Sequence, residues 1–186
     1  NQPAVVILGG GIWGEYWGQE VAKAGYTGLS LPYLGQAGLP KLLEEIPLEY
    51  FAQAIDWLGK QPEVNPQKVV VMGASRNAEL ALVMASYYPE IIQGVIAYAP
   101  SSVSWANTVH AFNSDSLKPT WIFGRKAVPF IPMEKLTGYG SETVETLSYW
   151  TQALADSQTV SRAAIPVEKI NGSILLLSGL ADEVWP

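Results

Sequence analysis

Cysteine is absent from this sequence, and histidine occurs once, as His110. The first absence excludes disulfides, thiolate metal sites and a cysteine nucleophile, but leaves the compartment open, since secreted proteins without disulfides exist. Together the two leave only scattered carboxylates as metal ligands, so neither a metal nor another cofactor is expected. Charged residues are sparse at 15% against 48% hydrophobic, a balance that separates the chain from disordered sequences. Lys and Arg number 11 and Asp and Glu 17, giving a net charge of −6 with no basic run, so nucleic acid is not an expected partner. The same acidity offers an anionic substrate no long-range attraction, and such a ligand would depend on local charges. No apolar run is long enough to span a bilayer, and the first residues read as a strand rather than a secretory leader. A cytoplasmic location is the expectation. At 186 residues the chain reads as one domain, 1–186, with a core of its own.

What is there centres on Val69-Val70-Val71-Met72-Gly73-Ala74-Ser75-Arg76-Asn77. A continuous apolar run has the pattern of a central parallel strand, buried on both faces. It stops at Gly73, and beyond Ser75 the residues Leu80, Val83, Met84 and Tyr87 recur at the spacing of a helix packed on a sheet. Strand, tight turn with serine at the apex, helix: this is the layout of a nucleophile elbow, G-x-S-x-G, with Asn77 at the last glycine. Such a turn lifts the hydroxyl above the sheet edge, and the helix N-terminus behind it favours developing negative charge. The alternative is an ordinary strand–helix turn in which Ser75 caps the helix.

Other segments supply the surrounding architecture. Ala4–Leu8, Tyr26–Leu31, Gly94–Tyr98 and Ile174–Leu177 read as further strands. Helices are predicted from about Glu15 to Lys23, closed by Gly25, and from Pro47 to Leu58, with Phe51, Ala54, Ile55 and Leu58 inward. Another is predicted from about Ser141 to Ala155, and Asn65-Pro66 predicts a turn. Residues 101–161 are less regular and rich in aromatics, including Trp105, Trp121, Phe123, Phe130 and Trp150. They suggest a cap or insertion lining a pocket, although core packing accounts for most such residues individually. Alternating strands and helices imply a mainly parallel, doubly wound α/β sheet with helices on both faces. Sites in such sheets lie beyond the carboxyl ends of the strands.

Three features fall at that edge: Gly9-Gly10-Gly11 after Leu8, Ser75 after the elbow strand, and Asp182 after Leu177. Acyl transfer through serine needs a nucleophile, a base, an acid to orient the base, and donors for the oxyanion. Ser75 fits the first role. The backbone N–H groups of Arg76 and of the turn at Gly10 and Gly11 fit the last. Asp182 fits the orienting acid, with Glu183 beside it as a lesser competitor and a solvated loop aspartate as the alternative. The same glycines satisfy a dinucleotide fingerprint through Gly9, Gly11 and Gly14. That reading lacks its acidic residue, because the next strand closes with Pro32. His110 lies between Ser75 and Asp182, which breaks the usual order of serine, acid, histidine, so it is read as a surface or cap residue.

Three blocks carry a wider likeness: Leu39-Pro40-Lys41 through Glu44 to Pro47-Leu48-Glu49-Tyr50-Phe51; Gly73-Ala74-Ser75 with Ala78-Glu79-Leu80-Ala81-Leu82; and Ile165-Pro166-Val167-Glu168-Lys169-Ile170 leading to Leu175-Leu176-Leu177-Ser178-Gly179, Asp182 and Trp185-Pro186. In these the chain resembles the C-terminal catalytic domain of the acyl-CoA thioesterase and bile acid-CoA:amino acid N-acyltransferase family, which has the α/β-hydrolase fold. The resemblance implies Ser75 as nucleophile, Asp182 as triad acid and an acyl thioester or ester as small-molecule substrate. It associates serine with hydrolysis and cysteine with transfer to amino acids, so it favours a thioesterase-like activity. It also implies that the domain is incomplete at both ends, with the triad histidine beyond residue 186. An esterase of the dienelactone-hydrolase kind, or a non-catalytic domain on the same scaffold, are the other readings; Asn77 in place of the family's glycine bears on the last.

Overall fold

The computed structural model describes residues 1–107, 116–133 and 146–182. In chain order its elements are β1 (Gln2–Leu8), α1 (Gly11–Lys23), β2 (Thr27–Leu31), β3 (Ile46–Pro47), α2 (Leu48–Gly59), β4 (Val64–Ala74), α3 (Arg76–Tyr87), β5 (Gly94–Tyr98), β6 (Trp121–Phe123), β7 (Lys126–Ala127), α4 (Thr146–Ala153), α5 (Ser157–Ala163) and β8 (Ser173–Leu177). The apolar runs become one five-stranded sheet in the order β2-β1-β4-β5-β8, with every neighbouring pair parallel. The chain builds outward from β1 to β2, then returns past β1 to β4 and continues the other way. The direction therefore reverses between β1 and β4, which makes their carboxyl ends the switch point of a doubly wound α/β sheet.

Helices cover both faces, and side-chain alternation along the strands divides the core accordingly. Ala4, Val6, Leu8, Val69, Val71, Val95 and Ala97 face α2 and α3, packing with Phe51, Ile55, Leu58, Leu80, Val83 and Met84. The opposite face carries α1, whose Trp13 meets Tyr98 edge-on and whose Trp17 meets it at a tilt, at ring distances of 5.7 and 5.8 Å. A Cβ on Gly14 would stand 2.1 Å from Ser30 Oγ, so that glycine lets α1 lie directly on β2. β8 is an open edge: Leu175 and Leu176 are 50% and 55% exposed. Among the described residues, no helix is long and apolar enough to cross a membrane.

Several local expectations give way to longer-range pairing. α1 starts at Gly11, a turn earlier than the sequence predicts, because Gly10 already has the extended geometry of an N-cap. Asn65-Pro66 lies inside β4, where pairing to β1 jumps from Gln2↔Val64 to Ala4↔Val69. Asn65 still makes its turn-like contact, accepting from Gln67 N–H at 3.0 Å, but it serves a bulge. Ala54 is only half-buried in α2. The helix expected over 141–155 is observed at Thr146–Ala153, and its first expected residues, 141–145, lie outside the described residues. Trp121 belongs to a small second sheet, β3-β6-β7, and sits in the main core beside Tyr33 and Phe51. Trp105 anchors a satellite core with Ile131, Met133 and Ala163, its ring 4.8 Å from that of Trp150.

Candidate active site at the switch point

β4 runs straight into the turn that holds Ser75. There the backbone adopts φ 54° and ψ −122°. These angles are those of the first central residue of a type II′ turn, a position glycine normally takes. A side-chain-bearing residue held there stores backbone strain of about 1–3 kcal/mol, a pattern that clusters at functional sites. The conformation is fixed from both sides. Ser75 N–H donates to Tyr98 C=O at 2.9 Å, and Ser75 C=O accepts from Ala78 and Glu79 N–H at 2.9 and 3.1 Å. The side chain makes no capping hydrogen bond and the residue is exposed, so the hydroxyl is not spent on closing α3.

The tightness of the turn explains Gly73 and reframes Asn77. A Cβ on Gly73 would lie 2.1 Å from Asn77 C=O oxygen, so the close approach of strand and helix is relieved at Gly73. The Asn77 side chain instead leans over the glycine turn: its Nδ2 would be 2.6 Å from a Cβ on Gly9. Its Oδ1 accepts from the Tyr33 hydroxyl at 2.6 Å. Burial holds the Tyr33 phenol well above its ordinary range, with the nearby Arg76 charge opposing and Glu79 reinforcing that shift. Asn77 is thus accommodated by a partner on one side and an absent side chain on the other.

Across the switch point, Gly9 and Gly11 have φ of 91° and 63°, and Gly10 between them is the N-cap of α1. A Cβ on Gly10 would meet Pro32 at 2.8 Å, whereas one on Gly11 would meet nothing within 4 Å. The first N–H groups of α1 and of α3, Arg76 among them, have no intrahelical partner. Since β1 and β4 are neighbours, two helix N-termini open side by side around an exposed hydroxyl. Both contribute positive potential, and the arrangement favours an oxyanion over any cation.

Asp182 follows β8 and is half-buried. Register brings its strand to the same edge: Ala74 pairs with Tyr98, and Tyr98 with Leu177. The structure thus gathers Ser75, Arg76, Gly10 and Gly11 at the switch point and places Asp182 two strands away on the same rim. His110 and Glu183 lie outside the described residues.

Sequence reasoning passed over Glu79 as a site residue. It is fully buried, and its Oε1 accepts from Ser104 Oγ at 3.0 Å, Trp105 N–H at 3.1 Å and Trp121 Nε1 at 2.8 Å. Its Oε2 pairs with Arg76 Nη1 at 2.9 Å. The available signal was a carboxylate inside the apolar stretch Ala78–Ala85 of a helix that has no second charged face. A cleft of about 220 Å³, lined by Val83, Tyr87, Ser104, Val128, Arg162 and Lys169, lies towards the far end of α3 and does not include Ser75.

The model of the family described as "BAAT / Acyl-CoA thioester hydrolase C terminal" matches residues 46–186. The chain belongs to that family. Among curated relatives, mouse acyl-coenzyme A thioesterase 1 is 29% identical over 186 residues, covering 98% of this chain and 41% of the relative. Human acyl-coenzyme A thioesterase 2, mitochondrial, is 30% identical over 186 residues, covering 98% and 36%. Mouse acyl-coenzyme A amino acid N-acyltransferase 2 is 29% identical over 184 residues, covering 97% and 40%. The chain therefore spans about two fifths of the length of these relatives. The family thus includes both hydrolase and transferase names, on a hydrolase-like α/β fold.

Proposed function

We propose that the protein is a serine hydrolase of acyl thioesters, with Ser75 as nucleophile. The observation that carries this reading is the II′ geometry of Ser75, exposed at the switch point between two helix N-termini. The Ser75 hydroxyl adds to the thioester carbonyl, and its proton passes to a base. The tetrahedral oxyanion is held by Arg76 N–H and by N–H groups of the Gly10–Gly11 turn. Collapse breaks the carbon–sulfur bond, the thiol leaves with the proton, and water then releases the acid and restores the serine. Asp182 orients the base, a histidine taken from the protein beyond residue 186. Serine rather than cysteine at the elbow supports hydrolysis over transfer to an amine, because an oxygen ester is the ordinary intermediate of hydrolysis by this machinery.

The test uses the full-length protein. Intact mass before and after a fluorophosphonate probe should show one adduct, absent in Ser75→Ala, and turnover of an acyl-CoA should fall at least ~10³-fold in the same variant. An adduct or turnover retained by Ser75→Ala would remove the serine from the mechanism. Faster cleavage of a simple aryl ester than of the thioester would move the substrate class to oxygen esters.

A further inference from the structure

We propose that Glu79 is a positioning residue that holds Arg76, and with it the oxyanion-binding N–H, in register with Ser75. This inference rests on the reading of Ser75 as nucleophile. A buried carboxylate is costly unless every lone pair it presents is matched. Glu79 is 0% exposed and receives all its donors from outside its own helical turn or from Arg76: Ser104 Oγ, Trp105 N–H and Trp121 Nε1 on one oxygen, the Arg76 guanidinium on the other. Three separate segments, α3, 104–105 and β6, therefore converge on one side chain.

Stability alone does not account for a charge at that position. Trp105 and Trp121, which reach the carboxylate, are themselves buried apolar bulk, and apolar replacements of buried ion pairs are often neutral or stabilising. What an apolar residue lacks is a grip on Arg76. Arg76 directly follows the strained serine, and its N–H is the first open donor of α3. Its side chain, only 14% exposed, is drawn back along the helix by Glu79 rather than left to solvent. The ion pair spans i to i+3, so it clamps the first turn of α3 while the three Oε1 donors fix Glu79 itself. Movement of this turn shifts the oxyanion donor relative to Ser75. Misplacement by an ångström can cost ~10²-fold in rate, and loss of an oxyanion donor ~10²–10³-fold.

The experiment compares Glu79→Gln, Arg76→Gln, Arg76→Lys and Ser75→Ala in the full-length protein. It reads melting temperature, kcat and KM for an acyl-CoA, and affinity for a trifluoromethyl ketone analogue whose adduct carries the oxyanion. Glu79→Gln keeps the shape and the Oε1 acceptor but turns an amide donor on Arg76. Folded Glu79→Gln and Arg76→Gln should keep KM within ~2-fold, lose ~10–100-fold in kcat, and bind the analogue correspondingly more weakly. Arg76→Lys, which keeps the cation, should recover most of the loss. If Glu79→Gln does not fold, Arg76→Gln carries the test, since it leaves three of the four donors in place. Unchanged kcat and analogue affinity in a folded variant, or a change in KM alone, would overturn the proposal and leave Glu79 a structural anchor. Retained turnover in Ser75→Ala would instead fail the serine reading, whatever Glu79 does.

Discussion

At the scale of single residues, the Asn77 side chain is held as one member of a pair. Its Oδ1 is the acceptor for the Tyr33 hydroxyl, and Tyr33 is 7% exposed. Placing at this position the last glycine of the G-x-S-x-G pattern, by Asn77→Gly, therefore strands a buried hydroxyl and adds backbone freedom to the first turn of α3. The expected cost is about 1–3 kcal/mol, with up to ~1 kcal/mol more from glycine in a helix. Tyr33→Phe alone leaves the amide with an unused acceptor that water at the site's open rim can satisfy, so its cost is smaller. The double variant Tyr33→Phe/Asn77→Gly should be more stable than Asn77→Gly alone. Denaturant unfolding of the four proteins checks this, and additive effects would show that the pair does not interact. The sequence exposed the elbow serine because its neighbours have local signatures. It hid the compensation at Asn77, because Tyr33 and Gly9 approach it only in space.

At the scale of elements, legibility follows how local the stabilising contacts are. β1, β4 and β5 are central, apolar on both sides, and visible as runs. β6 is only three residues long and owes its place in the sheet to a distant partner, Ile46↔Trp121. β7 pairs with it locally, Ile122↔Ala127 across the Gly124-Arg125 turn, but two residues are too few to leave a periodic pattern. α5 is also missed: it is short and its apolar stripe is slight, yet its start is well capped. Asp156 Oδ1 accepts from Gln158 N–H at 3.1 Å and Oδ2 from the Thr159 hydroxyl. The Thr159 hydroxyl first, then the Gln158 N–H, hold the Asp156 carboxyl below its ordinary value. Because the folded value is depressed, the cap stabilises fully above the unfolded aspartate range and the contribution is lost as pH falls through the folded value. Asp156→Ala should therefore lower the melting temperature at neutral pH, and the gap from the parent should close in strong acid. Thermal unfolding followed at both pH values measures it; a gap independent of pH would mean the carboxylate charge is not what caps α5.

At the scale of the whole molecule, the site is a property of sheet order. Ser75 and the glycine turn are neighbours because β1 and β4 are; the alternation of strands and helices predicts their shared carboxyl edge, while the adjacency itself comes from the strand order. Asp182 reaches the rim by a different route. More than seventy residues separate β5 from β8, and the parallel pairing of the two strands, which ends at Tyr98↔Leu177, returns the chain to the edge where Ser75 stands. The sequence ranks Asp182 above its neighbour Glu183 as the orienting acid, and activity is what tests that ranking. It can do so because an acid that orients a base acts through a hydrogen bond that its amide cannot reproduce in the same tautomer. In the full-length protein, Asp182→Asn should lower kcat for an acyl-CoA by roughly 10³-fold or more with little change in KM, while Glu183→Gln stays within a few-fold of the parent. Fluorophosphonate labelling should slow in parallel in Asp182→Asn, since the probe also needs an activated serine. The reverse ranking would move the acid to Glu183. Two unaffected variants would mean that the rim beyond β8 supplies no acid at all, and that Ser75, if active, is oriented by another part of the molecule.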